Sequence, residues 1–222
     1  MIHYFEQLTS SNDEATLPHY REGDIIWAER QTAGRGQRGH TWQSNEGENL
    51  TFTALLEPTF LPPSEQFSLL QVVALAMADM LSEYGIEAKI KWTNDIYVGD
   101  SKLVGILMEH KLQGAVIGRT IAGIGLNVNQ TEFDRKEVLE RIVLHLKNRY
   151  EMLRRGEIKQ LHLDYHQRLY RLGEEHTYAL PDGTRFRGVI EGVEPQGALK
   201  ITTPQGEAYK FLFKEVEFVL KN

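Results

Sequence analysis

From Arg30 to Asn45 the chain carries Arg30, Arg35 and Arg38 among Gly34, Gly36 and Gly39, without a single carboxylate. Glycines let backbone N–H groups turn towards an oxyanion, and arginines add forked donors that stay charged. The segment therefore reads as a phosphate-holding loop, with Trp42 offering a flat surface beside it. Three further clusters bear groups suited to the same work: Lys91-Trp92-Thr93-Asn94-Asp95, Ser101-Lys102-Leu103-Val104-Gly105-Ile106-Leu107 and Gly123-Ile124-Gly125-Leu126-Asn127-Val128-Asn129. Lys102 can neutralise a phosphate, and Asp95 can orient an amine or help hold Mg²⁺. The two glycine-bearing strands permit close backbone approach.

The chain around these clusters is acidic, with a formal net charge of −6 over 222 residues. A general basic surface for nucleic acid is excluded, and a local basic loop points to a small anionic ligand. Cysteine is absent, which rules out disulfides, thiolate nucleophiles and cysteine metal sites. His162 and His166 stand four apart on a predicted helix, where a solvated face is the favoured reading over a metal pair. No signal-like start and no apolar run near about 18 residues is present, so a soluble, cytoplasmic protein is expected.

The elements that must position these groups follow from periodicity. Ile2 to Leu8, Asp24 to Glu29 and Leu50 to Leu56 read as strands, with the arginine-glycine loop slung between the last two. Ser10 to Ala15 reads as a turn entering a short helix capped by Ser or Asn. Ser64, after Pro62-Pro63, is expected to cap a long buried helix closing at Gly85. Residues 86–92, 96–98, 102–110 and 115–128 predict strands in an antiparallel meander. Asp134 with Glu137 suggests a capping box opening a helix, and a second amphipathic segment carries Ile158, Leu161, Tyr165 and Leu169. From Gly173 onward, short strands separated by Pro-x-Gly turns read as a small β-barrel.

Taken in order, these clusters resemble the biotin protein ligase family, whose hallmarks are a GRGRxGRxW loop, a KWPND turn, a KLxGIL strand and a GIGxN strand. The Ser10-Ser11-Asn12 turn also matches the family's Ser-Thr-Asn biotin-contacting turn. The resemblance implies an α+β fold: a class II aminoacyl-tRNA-synthetase-like catalytic domain over residues 1–172, with a mixed, largely antiparallel sheet flanked by helices, and an SH3-like β-barrel over 173–222. It implies a ligase that uses ATP and Mg²⁺ to convert biotin to biotinyl-5'-AMP and passes biotin to a lysine of a biotin carboxyl carrier protein. Repressor members carry an additional N-terminal helix-turn-helix domain, for which this sequence has no room, so DNA binding is not expected. Family members occur as monomers and dimers, and a homodimer through sheet edges is left open.

By the same resemblance, biotin would be held by Ser10, Ser11, Asn12, Gln31, Gly34, Arg35, Lys102 and Gly105. The nucleotide side would fall to Arg35, Gly36, Arg38, Gly39, Trp42, Asn94 and Asn127. Arg35, Lys102, Lys91 and Asp95 would be the catalytic groups, with Asp95 either a Mg²⁺ ligand or an orienter of the acceptor amine. Three departures stand out: Gln37 and His40 where arginines are frequent, and Thr93 where proline is usual. Plainer readings accompany several positions: Trp92 as core, Lys91 and Lys102 as solvated lysines, Asn127 as a strand-end cap. Two other functions compete, a lipoate or octanoate protein ligase of the same architecture and a non-catalytic biotin-binding module.

Overall fold

The computed structural model describes residues 1–36, 42, 49–127 and 134–220. Seven strands form the main sheet: β1 (Ile2–Leu8), β2 (Ile25–Gln31), β3 (Asn49–Leu56), β4 (Lys89–Lys91), β5 (Asp95–Val98), β6 (Ser101–Gln113) and β7 (Val116–Asn127). Their order is β1-β2-β3-β7-β6-β5-β4, with β1 and β2 parallel and the other neighbours antiparallel. The meander expected from residue 86 onward is present, its first strand reduced to Lys89–Lys91.

Side chains alternate across a strand, and here the alternation divides two jobs. Even-numbered residues such as Phe52, Ile106 and Ile124 join the large core beneath the helices. The odd-numbered register partners Thr51, Thr53, Gly105, Leu107, Gly123 and Gly125 lie on the opposite face, where the short helix α1 (Ser11–Glu14) packs. The core side is packed by α2 (Phe67–Glu83), which is buried nearly all round, with α3 (Arg135–Arg154) and α4 (Ile158–Gln167) laid against it. A helix apolar on every side belongs inside a layered fold.

Two of the expected helix caps differ. Ser64 lies within a 3₁₀ turn, Pro63–Glu65, and α2 starts only after Gln66, because the two prolines favour a separate tight turn before the helix proper. Ser10 holds the N-cap position of α1 but makes no capping bond. Asp134 does cap α3, accepting from the N–H groups of Lys136 and Glu137 at 2.9 and 3.4 Å.

His162 and His166 are not on a solvated face. His162 Nδ1 lies 2.9 Å from Gln71 Nε2 on α2, and Val193 N–H donates to His166 Nε2 at 2.7 Å. Burial pushes the His162 pKa below its ordinary value. Both rings work as packing polar groups that fasten α4 to its neighbours, an outcome helical spacing alone does not distinguish from exposure.

The C-terminal strands β8 (Glu175–Ala179), β9 (Arg185–Val193), β10 (Leu199–Thr202), β11 (Ala208–Phe211) and β12 (Glu217–Phe218) form an antiparallel sheet in the order β11-β10-β9-β8-β12. The expected barrel is thus represented by five strands, with no ladder joining β11 to β12 among the described residues. This sheet packs on the main body: Tyr178, Ile190 and Leu199 belong to the same core cluster as α2, and Trp92 Nε1 donates to Gly197 O at 2.9 Å. Among the described residues, no helix is long and apolar enough to cross a membrane.

Candidate active site

Two rows of register partners on the face opposite α2 make the floor of the site, and a third continues the same face beyond it. Thr51, Gly125, Gly105 and Asp95 form the first row; Thr53, Gly123 and Leu107 the second; Leu55, Ile121 and Glu109 the third. Glycine opens the first two rows to close approach. A Cβ at Gly125 would fall 2.2 Å from Trp42 Cε2 and one at Gly105 2.8 Å from Trp42 Cζ3, while one at Gly123 would fall 2.3 Å from Asn12 Oδ1. The indole and the asparagine amide therefore rest on bare backbone.

The first turn of α1 is fastened from below. Thr53 Oγ1 lies 2.7 Å from Asn12 Oδ1 and 2.8 Å from Ser11 Oγ. A hydroxyl has one proton and an amide oxygen can only accept, so Thr53 donates to Asn12 and receives from Ser11. Asn12 Nδ2 donates to Glu109 Oε2 at 2.8 Å, and Ser11 N–H donates to Gln31 Oε1 at 2.7 Å. Arg35 reaches the same end, its Nη2 lying 3.0 Å from Glu109 Oε2 and 2.8 Å from Asp13 Oδ1.

At the other end Lys102 Nζ pairs with Asp95 Oδ1 at 2.7 Å. The Thr93-Asn94-Asp95 turn is held rigidly, since Asn94 Nδ2 donates to Ile106 O at 2.5 Å and Tyr165 OH donates to Thr93 O at 3.0 Å. The Trp92–Thr93 peptide is cis. Between the two ends lies a cavity of about 280 Å³. Its walls include the Ser10-Ser11-Asn12 turn, Gln31, Arg35 and Gly36 on one side, and Asn94, Asp95, Lys102 and Gly105 on the other, with Trp42 between. A larger groove of about 770 Å³ lies on the C-terminal sheet among Phe186, Tyr209 and Phe211, but its Arg187 and Glu175 pair at 2.6 Å and its Glu207 accepts from Tyr209 OH at 2.9 Å.

Most of the residues singled out from sequence thus meet at one cavity, and three do not line it. Gly34 is buried behind it, accepting from Trp42 N–H at 2.9 Å, and a Cβ there would meet Trp42 O at 2.6 Å. Asn127 donates from Nδ2 to Lys102 O at 3.3 Å, a supporting contact to the lysine strand. Lys91 turns away towards the C-terminal sheet, its Nζ 4.9 Å from the Phe218 ring centroid and 5.3 Å from that of Tyr97. It is neither a solvated lysine nor a cavity wall. Burial pulls its pKa below the ordinary lysine value, Asp95 opposing and Lys102 and Arg171 adding to the fall. Arg38 and Gly39, with Gln37 and His40, lie outside the described residues.

Sequence reasoning missed Thr51, Thr53 and Glu109. Thr51 lines the cavity, is buried, and its Oγ1 has no hydrogen-bond partner among the described residues; the same is true of Trp42 Nε1. Two unused donors at one cavity are what a polar ligand would satisfy. The signal for Glu109 was its phase: it continues the alternation Gly105, Leu107, Glu109 on the cavity face.

A metal would find one carboxylate here. Asp95 is the sole acid on the cavity wall among the described residues, and no group of three His, Cys, Asp or Glu is clustered to hold an ion. Mg²⁺ commonly binds through one or two carboxylates together with substrate phosphates, and a lone Asp95 fits that mode.

Comparison with known proteins agrees with this architecture. Residues 4–129 match the model of the biotin/lipoate A/B protein ligase family, and the chain belongs to that family. It is 32% identical over 207 residues to the bifunctional ligase/repressor BirA of Bacillus spizizenii, covering 83% of this chain and 63% of that protein's length. It is 27% identical over 199 residues to the biotin--[acetyl-CoA-carboxylase] ligase of Mycobacterium tuberculosis, covering 80% of this chain and 73% of the relative. In structure it matches a biotin protein ligase from Aquifex aeolicus solved in complex with biotin and ATP, with a TM-score of 0.82 and 26% identity over 98% of this chain and 99% of the other.

Proposed function

We propose that the protein activates biotin with ATP, forming biotinyl-5'-AMP and pyrophosphate, and transfers the biotinyl group to a lysine of a biotin carboxyl carrier protein. The observation that carries this reading is the single cavity joining the Ser10-Ser11-Asn12 turn to the Lys102–Asp95 pair. The relatives' names and the ligands of the Aquifex structure support it.

The biotin ring would lie over the second row, met by Ser10, Ser11, Asn12, Gln31 and Arg35, with its acid group directed towards Lys102. A carboxylic acid of ordinary pKa is ionised at neutral pH and needs no base to attack the α-phosphorus. The barrier is electrostatic, since two anions must meet and pyrophosphate must leave. Lys102 and the arginine-glycine loop, including Arg35, Gly36, Arg38 and Gly39, would stabilise that charge. Asp95 would hold Mg²⁺ with the phosphates, which when bound neutralises further negative charge. Trp42 would flank the adenylate and offer Nε1 as a donor, while Thr51 offers its hydroxyl and Asn94 and Asn127 brace the nucleotide end.

In the second step the acceptor lysine must attack as a neutral amine. Its nitrogen forms the amide bond and gives up one proton to solvent as the acyl–phosphate C–O bond breaks and AMP leaves. Asp95, freed from Lys102 by the substrate, would orient that amine. Lys91 would act through Asp95, as a positioning neighbour on the adjacent strand. The division of labour we favour assigns the chemistry to residues 1–172 and a bracing role to an SH3-like unit over 173–222, in a cytoplasmic enzyme.

ATP–pyrophosphate exchange measured with biotin and with lipoate tests the substrate assignment. Exchange stimulated by biotin is the expected result. Stimulation by lipoate alone overturns it in favour of the family's other branch.

A further inference from the structure

We infer that Glu109 is a positioning residue, one carboxylate oxygen of which sets the direction of both the Asn12 amide and the Arg35 guanidinium at the ring-binding end of the cavity. The inference rests on the biotin reading above and adds a residue to it. Glu109 Oε2 accepts from Asn12 Nδ2 at 2.8 Å and from Arg35 Nη2 at 3.0 Å. Those two donors come from segments more than twenty residues apart in sequence, the first turn of α1 and the loop after β2, so no local backbone feature fixes their mutual placement.

The Asn12 amide has two possible orientations, exchanging its oxygen and nitrogen. Thr53 at one end can donate or accept and does not choose between them by itself. A carboxylate only accepts, so Glu109 requires nitrogen on its side and thereby presents oxygen to Thr53. Thr53 must then donate to Asn12 and accept from Ser11, and the Ser11 hydroxyl proton is committed as well. One carboxylate thus propagates a donor and acceptor pattern through Asn12, Thr53 and Ser11, the polar groups available to read a ring bearing both N–H and C=O groups. For Arg35, Glu109 and Asp13 together fix the direction of the guanidinium, Nη2 meeting a carboxylate oxygen of each.

Glu109 itself does not line the cavity, and its side chain is 38% exposed, so direct contact with the reacting atoms is not part of the assignment. As a mere surface ion pair it would contribute little, because solvent screens exposed pairs and ordering two long side chains costs entropy. As a positioning group its loss should appear in ligand recognition.

The test compares Glu109→Ala with Glu109→Gln in biotin-dependent pyrophosphate exchange, with thermal melting to show that both fold. Glu109→Ala is expected to raise the KM for biotin about tenfold, a loss near 1.4 kcal/mol, while kcat stays within about threefold. Glu109→Gln keeps an oxygen that can take the place of Oε2 and should recover most of the KM. An unchanged KM in Glu109→Ala, a loss confined to kcat, or no recovery in Glu109→Gln overturns the inference alone. Failure of the wild-type protein to exchange with biotin overturns it together with the biotin reading.

Discussion

The indole of Trp42 occupies the space that any side chain at Gly125 would need, with Trp42 Cε2 and Cζ2 each 2.2 Å from the position of a Cβ there. The pair explains why a glycine faces the cavity near the end of the long strand β7. Replacing Gly125 by Ala should displace the ring and lower biotin-dependent exchange by at least tenfold, within the ~1–3 kcal/mol expected of overpacking. Trp42→Ala removes the obstructing ring, so the double variant should be no worse than Trp42→Ala alone. Additive losses in that cycle would show that the two residues act separately.

Lys102→Ala should suppress adenylate formation by about 10²- to 10³-fold, because under the proposed mechanism Lys102 is the fixed cation that meets the reacting carboxylate and phosphate. Transfer from added biotinyl-5'-AMP to the carrier should fall much less. Equal losses in the two half-reactions would remove Lys102 from the activation step.

Thr51→Val tests whether the buried hydroxyl without a partner is kept for a ligand. Valine has a similar shape and lacks the unsatisfied polar atom, so the free protein should become more stable, by up to about 1 kcal/mol. Ligand-induced stabilisation by biotin with ATP should diminish. A variant less stable than wild type and equally stabilised by ligands would contradict both expectations.

Lys91 gives a pH signature. Its pKa is lowered in the folded protein by burial, so the folded state binds this proton less tightly than the unfolded chain does. Between the lowered pKa and the ordinary lysine value of about 10.4 the unfolded state holds more protons, and stability due to this residue rises with pH, at most about 1.4 kcal/mol per unit. Below the lowered pKa the full penalty remains. Lys91→Met should therefore be stabilised relative to wild type at pH 7, with the difference shrinking towards pH 10. Urea midpoints across that range check it; a pH-independent difference would remove the titration argument.

Much of the site was legible because its groups sit in contiguous stretches. The loop from Gly34, the turn at Asn94-Asp95, Lys102 with Gly105, and Gly123 with Gly125 could each be read as local chemistry, and the strands that carry them were visible in their alternation. What escaped depends on register between distant strands. Thr53 matters only because it lies beneath Ser11 and Asn12, and Glu109 only because β6 extends far enough to bring it beside both Asn12 and Arg35. Arg35 illustrates the same limit: sequence showed a cation free of nearby acids, whereas folding supplies Asp13 and Glu109 from elsewhere. Lys91 was visible as the charged side of a strand, but not the aromatic rings of Tyr97 and Phe218 that receive it.

The most direct measurement is transfer of biotin to the lysine of a biotin carboxyl carrier domain by the purified protein with ATP and Mg²⁺, followed by intact mass. One added biotinyl group is expected, dependent on ATP and abolished when the carrier lysine is replaced. Biotin bound tightly with no transfer, or lipoate attached in its place, would contradict it.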